Sequence, residues 1–266
     1  MAESSSSLET FAHYDFSIQF VQRCADEFQW KDLSEDVVMD IGCGDELNCC
    51  KAIIIQFPEV KALIAVDTDS TVFETARFMN RIEFCVGDIR ERDSLESYEG
   101  KMDKVISAHT FHYIIDKETA FRNAYRLLKP GGEAGFFFCV NSYMYEFLTV
   151  LREIQNYEAI IKDTFALNLY ATELGKQYKE LLEKIGFKHV RAFEEELKFP
   201  FSLDECFKDF LEVLDINLVL SPEDAEKFKA IILHLYEKKF GKIERNPRYV
   251  SVQLSLLGVK PMESSD

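Results

Sequence analysis

Apolar positions along the chain change period several times, and those changes mark its elements. From about Leu8 to Phe28, Phe11, Ile18, Val21 and Phe28 fall on one side of a helical wheel with polar residues between them, which predicts a lead helix. A short apolar run, Val37–Ile41, follows and is closed by Gly42 and Gly44; a helix is expected over about Asn48–Gln56. The alternation then repeats. Strands are predicted at Ala62–Val66, Ile82–Val86, Lys104–Ser107 and Gly135–Val140, with helices over about Thr71–Met79 and Glu118–Leu128. The second of these is expected to stop at Pro130-Gly131-Gly132. Strands alternating with helices at this spacing predict an α/β fold, a parallel sheet with helices on both faces.

After Val140 the pattern changes. Asn141 to about Leu182 reads as mostly helical, with Leu148, Leu151, Ile154, Ile160 and Ile161 as core positions. A strand is expected at Phe187–Phe193 and a helical pair over about Leu203–Ile216 and Pro222–Phe240. The alternating run Tyr249–Val259 predicts a last strand, which could pair with Phe187–Phe193 as a hairpin. No internal repeat or long linker is visible. The expected organisation is therefore one domain, 1–266: a lead helix (about 8–28), a core (about 36–140), and a helical cover (about 141–182 and 203–240) interleaved with the last two strands.

Charge narrows the partners. The 266 residues carry 31 basic and 47 acidic side chains, a formal net charge of −16. A nucleic-acid binder needs a basic stripe to neutralise phosphates, so no nucleic acid is expected. Docking on an anionic membrane is disfavoured for the same reason. No run approaches the roughly 18 apolar residues of a membrane span. The opening MAESSSSLET lacks the basic and apolar regions of a secretory signal and is expected to fray. Seven cysteines, several in apolar runs and none in a CxxC pair, suggest reduced buried thiols and a cytoplasmic protein. The five histidines lack HxxxH or HExxH spacing, so no metal site is expected.

The stretch with the most chemical content is VVMDIGCGDELN, Val37 to Asn48. Glycines in a strand–turn–helix connection let backbone N–H groups approach a ligand, because they lack Cβ and tolerate φ > 0. The helix start behind them favours a negatively charged group. Two cofactor classes use such a turn. The dinucleotide fingerprint GxGxxG/A is broken here by Leu47. The other pattern, an acidic residue followed by x-Gly-x-Gly-x-Gly, holds S-adenosylmethionine. Asp40, Gly42 and Gly44 fit it, and Glu46 replaces its third glycine.

Asp67, at the end of the second strand and followed by Thr68, is placed to accept from ribose hydroxyls. Asp88, at the end of the third strand, is placed to accept from an adenine amine, with Ile89 packing on the ring. Each of these acids could instead cap the segment after it.

The succession DIGCG, VDTD, VGDI, MDKVISAHTFHYI and AFRNAYRLLKPGGE, spanning about Asp40 to Val140, resembles the class I S-adenosylmethionine-dependent methyltransferases. Phe199-Pro-Phe-Ser, the helical pair, Tyr249–Lys260 and His112-Tyr113 resemble, more narrowly, the juvenile hormone acid O-methyltransferases of arthropods, which usually carry His-Trp where this chain has His112-Tyr113. The resemblance implies a Rossmann-like, mostly parallel seven-stranded sheet with a helical cover. It implies S-adenosylmethionine as cofactor, held by Asp40, Gly42, Gly44, Asp67, Thr68, Asp88, Ile89 and Ser107. It also implies methyl transfer to the carboxylate of a small apolar acid of the farnesoic or juvenile-hormone-acid kind. A carboxylate is nucleophilic enough at pH 7 without a general base, so alignment and exclusion of water would carry catalysis.

In the family, a Gln on the lead helix and the aromatic after the fourth strand orient that carboxylate. The corresponding candidates are Gln22, reached by a one-residue shift from Val21, and Tyr113, with His112 beside it.

Glu46 is the main departure. Facing a cofactor carboxylate at ~4 Å, it would be repelled by ~1 kcal/mol in water and ~4 kcal/mol at an effective dielectric of 20. Turned outward at a helix start, it would gain ~0.3–1 kcal/mol. The outward orientation is the expectation. Phe165, Tyr170, Phe207, Phe210, Leu214 and Leu218 could line an apolar acceptor pocket or simply pack a core. Two alternatives stay open: a methyltransferase of another small molecule, and a degenerate fold that only binds a ligand or partner. A homodimer is allowed by the sequence but not specified by it.

Overall fold

The computed structural model describes residues 5–74, 80–154, 175–199, 207–208, 210–211, 221–241 and 249–262. Its strands are β1 (Val37–Ile41), β2 (Ala62–Asp67), β3 (Ile82–Val86), β4 (Met102–Ala108), β5 (Leu128–Asn141), β6 (Lys188–Phe199) and β7 (Tyr249–Val259). They form one seven-stranded sheet in the order β3-β2-β1-β4-β5-β7-β6. β1 pairs in parallel with β2 and β4, β2 with β3, and β4 with β5. β7 runs antiparallel, its end tied back where Lys260 N–H donates to the carbonyl of Gly132 at 2.8 Å. β6 and β7 are sheet neighbours, as expected for the last two strands. Four of the five β1 residues are buried, as a central parallel strand covered on both faces requires.

The helices are α1 (Ser5–Phe28), α2 (Asn48–Gln56), α3 (Lys117–Leu127), α4 (Tyr143–Leu151), α5 (Gly175–Ile185) and α6 (Pro222–Phe240). α2 occupies the predicted range. α3 begins where Asp116 accepts the Thr119 N–H at 3.0 Å, an N-cap. The start of the helix predicted over Thr71–Met79 is a short 3-10 turn, Ser70–Phe73, capped by Asp69; residues 75–79 lie outside the described residues.

Contrary to the expectation from sequence, Pro130-Gly131-Gly132 does not separate the helix from a strand that begins at Gly135. β5 starts at Leu128, directly after α3, and Pro130–Gly132 is an irregularity within it. Met102 pairs with Leu128 while Lys104 pairs with Glu133, so extra residues bulge from the β5 side. Pro and Gly suit that bulge because one supplies no ladder donor and the other, Gly131, takes φ +81.

The chain divides into two compact units. The first is Met1–Phe138, Leu174–Phe193 and Leu254–Asp266; the second is Cys139–Glu173 and Glu194–Gln253. In the first, α1 packs on α2, and Phe20, Val21, Cys24, Cys50 and Ile53 form their shared core. Cys24, Cys43, Cys49 and Cys50 are free and buried there, and burial pushes their thiols above the ordinary range. A second apolar nucleus of that unit joins Phe111, Phe121, Phe136 and Phe138, with Phe111 stacked on Phe121 at 4.8 Å.

In the second unit, Phe147 meets Phe210 at 5.1 Å and Tyr236 at 5.2 Å, and the Tyr236 hydroxyl donates to Glu146. Phe207 and Phe210 are fully buried in that cluster and behave as core. Phe165, Tyr170, Leu214 and Leu218, together with Ile160 and Ile161, lie outside the described residues.

Candidate functional site

The sheet order reverses at β1, whose neighbours β2 and β4 connect in opposite directions. In open α/β sheets such a switch point, at the carboxyl ends of the strands, is where ligands bind. Several of the residues singled out from the sequence lie at or next to these strand ends. β1 ends at Ile41, and the Gly42 and Cys43 N–H groups both donate to the Val66 carbonyl of β2, at 2.8 and 3.1 Å. Gly42 has φ +70, and a Cβ there would sit 2.3 Å from the Thr110 side chain. Both facts require glycine. Gly44 also has φ +61, but a Cβ on it would meet nothing within 4 Å. The turn therefore has one packed glycine and one that faces open space.

Asp40 is fully buried. The Cys50 thiol, in the first turn of α2, donates to its Oδ2 at 3.1 Å. Its Oδ1 is buried without a partner. Burial pushes its pKa up to about 7; the Cys50 bonds oppose that rise and the nearby Asp67 charge adds to it. The second oxygen of this buried carboxylate is open to a donor, from water or from a ligand.

Asp67, the last residue of β2, accepts the Gly44 N–H on Oδ2 at 3.0 Å and the Asp69 N–H on Oδ1 at 3.1 Å. It thus tethers the open end of the glycine turn and keeps lone pairs on both oxygens. Thr68, next to it, is exposed.

Glu46 is half-buried, and its Oε2 accepts from the Asn48 side-chain amide at 2.9 Å. Its backbone is not left-handed, so a side chain costs no strain there. The left-handed residue is the next one, Leu47, at φ 52, with its side chain fully buried.

β4 supplies the other wall. Ser107 is buried and donates its hydroxyl to the Ile41 carbonyl at 2.7 Å, stapling β4 to β1. His109 has φ 58 and packs edge-on against Phe137 at 4.9 Å. Thr110 Oγ1 donates to the Gly42 carbonyl at 2.9 Å. His112 and Tyr113 follow in a 3-10 turn, Phe111–Tyr113, anchored by buried Phe111. His112 is buried, while Tyr113 is 50% exposed, and their ring centroids are 4.0 Å apart. This turn is fastened to the glycine turn through Thr110.

Asp88, just past β3, is held by Arg90. Its Oδ1 accepts from the Arg90 backbone N–H at 2.8 Å and from Nε at 2.9 Å; its Oδ2 accepts from Nε at 2.9 Å and from Nη2 at 2.5 Å. Burial would raise its pKa, but the Arg90 bonds and charge outweigh that and hold it below the usual range. Ile89 is buried and its carbonyl accepts from Asn123 Nδ2 at 2.7 Å.

Gln22 is not brought to this site. It is exposed, and its amide donates to Asp26 along α1 at 2.8 Å. The buried face of α1 carries Ser17, Phe20, Val21 and Cys24. Gln19, Gln22 and Asp26 form the outer stripe, as their spacing of three and four requires. Thr110, Cys50 and Arg90 were not singled out from the sequence, and Leu47 only as the residue that breaks the dinucleotide fingerprint. Only Arg90, two residues after an acid, offered a local signal.

A family of methyltransferase domains matches residues 32–186, more than half of the chain. The chain belongs to that family. Methyltransferases of this family use S-adenosylmethionine as cofactor. The fold agrees: the YcgJ protein of Bacillus subtilis superposes with a TM-score of 0.62 at 16% identity, over 93% of this chain and 99% of that one.

Among curated relatives, this methyltransferase is 27% identical to the juvenile hormone acid O-methyltransferase of Drosophila melanogaster over 61% of its length and 58% of the relative's. It is 25% identical to that of Bombyx mori over 66% of its length and 65% of the relative's. The chain thus spans less than two thirds of the curated relatives it matches. The residues fit the cofactor: the space over Gly44, the unpartnered Oδ1 of Asp40 and the free lone pairs of Asp67 are what a ligand with an ammonium group and ribose hydroxyls needs.

Among the described residues, no group of three or more His, Cys, Asp or Glu could hold a metal ion. No helix among them is long and apolar enough to cross a membrane.

Proposed function

We propose that the chain transfers a methyl group from S-adenosylmethionine to the carboxylate of a small apolar acid, of the farnesoic or juvenile-hormone-acid kind. The observation that carries cofactor binding is the turn from Asp40 to Gly44: a buried carboxylate oxygen without a partner beside a glycine whose Cβ position is empty. The choice of acceptor is supported by the likeness to the two insect enzymes and by the His112-Tyr113 turn.

In this reading, Asp40 and the glycine turn hold the amino-acid end of the cofactor, Asp67 with Thr68 the ribose, and Asp88 with Ile89 the base. When bound, S-adenosylmethionine supplies an electrophilic methyl group on a sulfonium. The chain's own task is to bring a carboxylate into line with it and to keep water out. Tyr113, through its phenol O–H, and His112 are the orienting donors. No side chain has to remove a proton, because the acceptor is already ionised at pH 7. Ser107 serves the site through the backbone: its hydroxyl fixes the ends of β1 and β4.

The test is calorimetric titration with S-adenosylhomocysteine, followed by incubation with S-adenosylmethionine and farnesoic acid and detection of the methyl ester. Micromolar binding with ester formation supports the reading. Binding without ester overturns the acceptor and leaves a methyltransferase of another small molecule. No binding leaves a fold that has lost its cofactor.

A further inference from the structure

Three N–H groups of Arg90 hold the Asp88 carboxylate: the backbone N–H, Nε–H and an Nη2–H. A carboxylate offers about four lone-pair sites, two on each oxygen. Oδ1 accepts from Arg90 N, Oδ2 from Nη2, and the single Nε–H is shared between the two oxygens, all between 2.5 and 2.9 Å, so that three protons cover both oxygens. The pair is also sheltered: the Asp88 side chain is only 15% exposed, although that of Arg90 is 47% exposed. The Asp88 N–H is fixed separately by Ser94 Oγ at 2.9 Å. The backbone therefore holds the carboxylate in place, and the guanidinium is the part that can yield.

We propose that Arg90 sets the nucleobase preference of this site by occupying Asp88, so that an exocyclic amine must compete with a guanidinium N–H for the carboxylate before it can be read. The proposal rests on the reading of Asp88 as the acceptor for adenine. Its consequence is a site less selective for adenine than a bare carboxylate would be. A lone carboxylate accepts from an amine and repels a carbonyl at the same position. A carboxylate–guanidinium pair can give an oxygen to the amine or an N–H to the carbonyl. Arg90 is thus a positioning residue acting through Asp88, and it lowers discrimination between adenine and its deaminated counterpart.

The test is calorimetric titration of the full chain with S-adenosylhomocysteine and with S-inosylhomocysteine, which carries a C6 carbonyl in place of the amine. The proteins are the unaltered chain, Arg90→Ala, Arg90→Gln and Asp88→Ala, each checked for folding by circular dichroism. Arg90→Ala is expected to raise the adenosyl-to-inosyl affinity ratio by about three- to tenfold, the value of one hydrogen bond. Arg90→Gln should fall between, and Asp88→Ala should lower the ratio.

A merely structural Arg90 would weaken both ligands together and leave the ratio unmoved; that result overturns the proposal while the cofactor reading stands. A ratio unmoved by Asp88→Ala removes Asp88 as the reader and overturns it as well. If no protein binds either ligand, the cofactor reading fails and the proposal fails with it.

Discussion

Thr110 donates its hydroxyl to the carbonyl of Gly42 at 2.9 Å, and the same side chain fills the space where a Cβ on Gly42 would stand. One residue after β4 thus both fastens and shapes the turn after β1. Two substitutions separate these roles. Thr110→Val keeps the bulk and loses the bond; it should cost about 1 kcal/mol in urea unfolding and weaken S-adenosylhomocysteine several-fold. Gly42→Ala adds a methyl into Thr110 at a left-handed position; it should cost about 2 kcal/mol or more and abolish measurable binding. Gly42→Ala with unchanged stability would show that the two segments are not locked together.

Asp67 binds the Gly44 and Asp69 backbone N–H groups from its position at the end of β2. Asp67→Ala removes both acceptors without opening the core. The expected result is a loss of cofactor affinity of tenfold or more, with far-ultraviolet circular dichroism unchanged and a stability loss of about 1 kcal/mol. A variant that unfolds while its folded fraction binds as before would assign Asp67 to the fold alone.

Glu46 stands where the motif has its third glycine, yet its carboxylate is engaged by Asn48 at 2.9 Å and its backbone is unstrained. Glu46→Gly should therefore change S-adenosylhomocysteine affinity by no more than about twofold. A tightening of tenfold or more, about 1.4 kcal/mol, would mean that the carboxylate turns toward the ligand and repels it.

Asp40 gives a pH dependence with a definite sign. Its folded pKa is pushed up to about 7 from an ordinary value of 3.8. Between those values the folded chain keeps a proton that the unfolded chain releases, so stability falls as pH rises from about 4 to 7. The loss is complete above the folded pKa and amounts to a few kcal/mol at most. Asp40→Asn removes that slope. Urea unfolding at pH 5 and pH 8 should show a smaller difference for the variant than for the unaltered chain; equal differences would mean that Asp40 is ionised throughout.

The first five strands were legible because each is a short apolar run closed by Gly, Asp or a polar residue. β1 and β3 have the predicted bounds, and those of β2 and β4 differ by one or two residues; β5 is the exception. There Pro130-Gly131-Gly132 carries the composition of a loop, and only pairing with β4 and with the segment after β7 makes it a bulge. The acids at the strand ends were legible because a parallel sheet exposes its carboxyl ends to the same crevice. Gln22 was misplaced because a one-residue shift on a helix turns a side chain by about 100°, from the stripe of Val21 to that of Asp26. Thr110 gave no signal, and Leu47 none of its role in shaping the turn. The first acts across a long sequence separation, and the second takes a left-handed conformation that nothing in its identity announces.

Leu47 and His109 flank the switch point, one on each side, and both are non-glycine residues held at φ between 50 and 60. Such conformations cost about 1–2 kcal/mol each and persist only where packing imposes them, as the buried Leu47 side chain and the His109–Phe137 contact do here. The conformational work of shaping the crevice is then done during folding and not on encounter with the ligand. A crevice made this way should bind in a single kinetic step, with an association rate that does not plateau as ligand concentration rises.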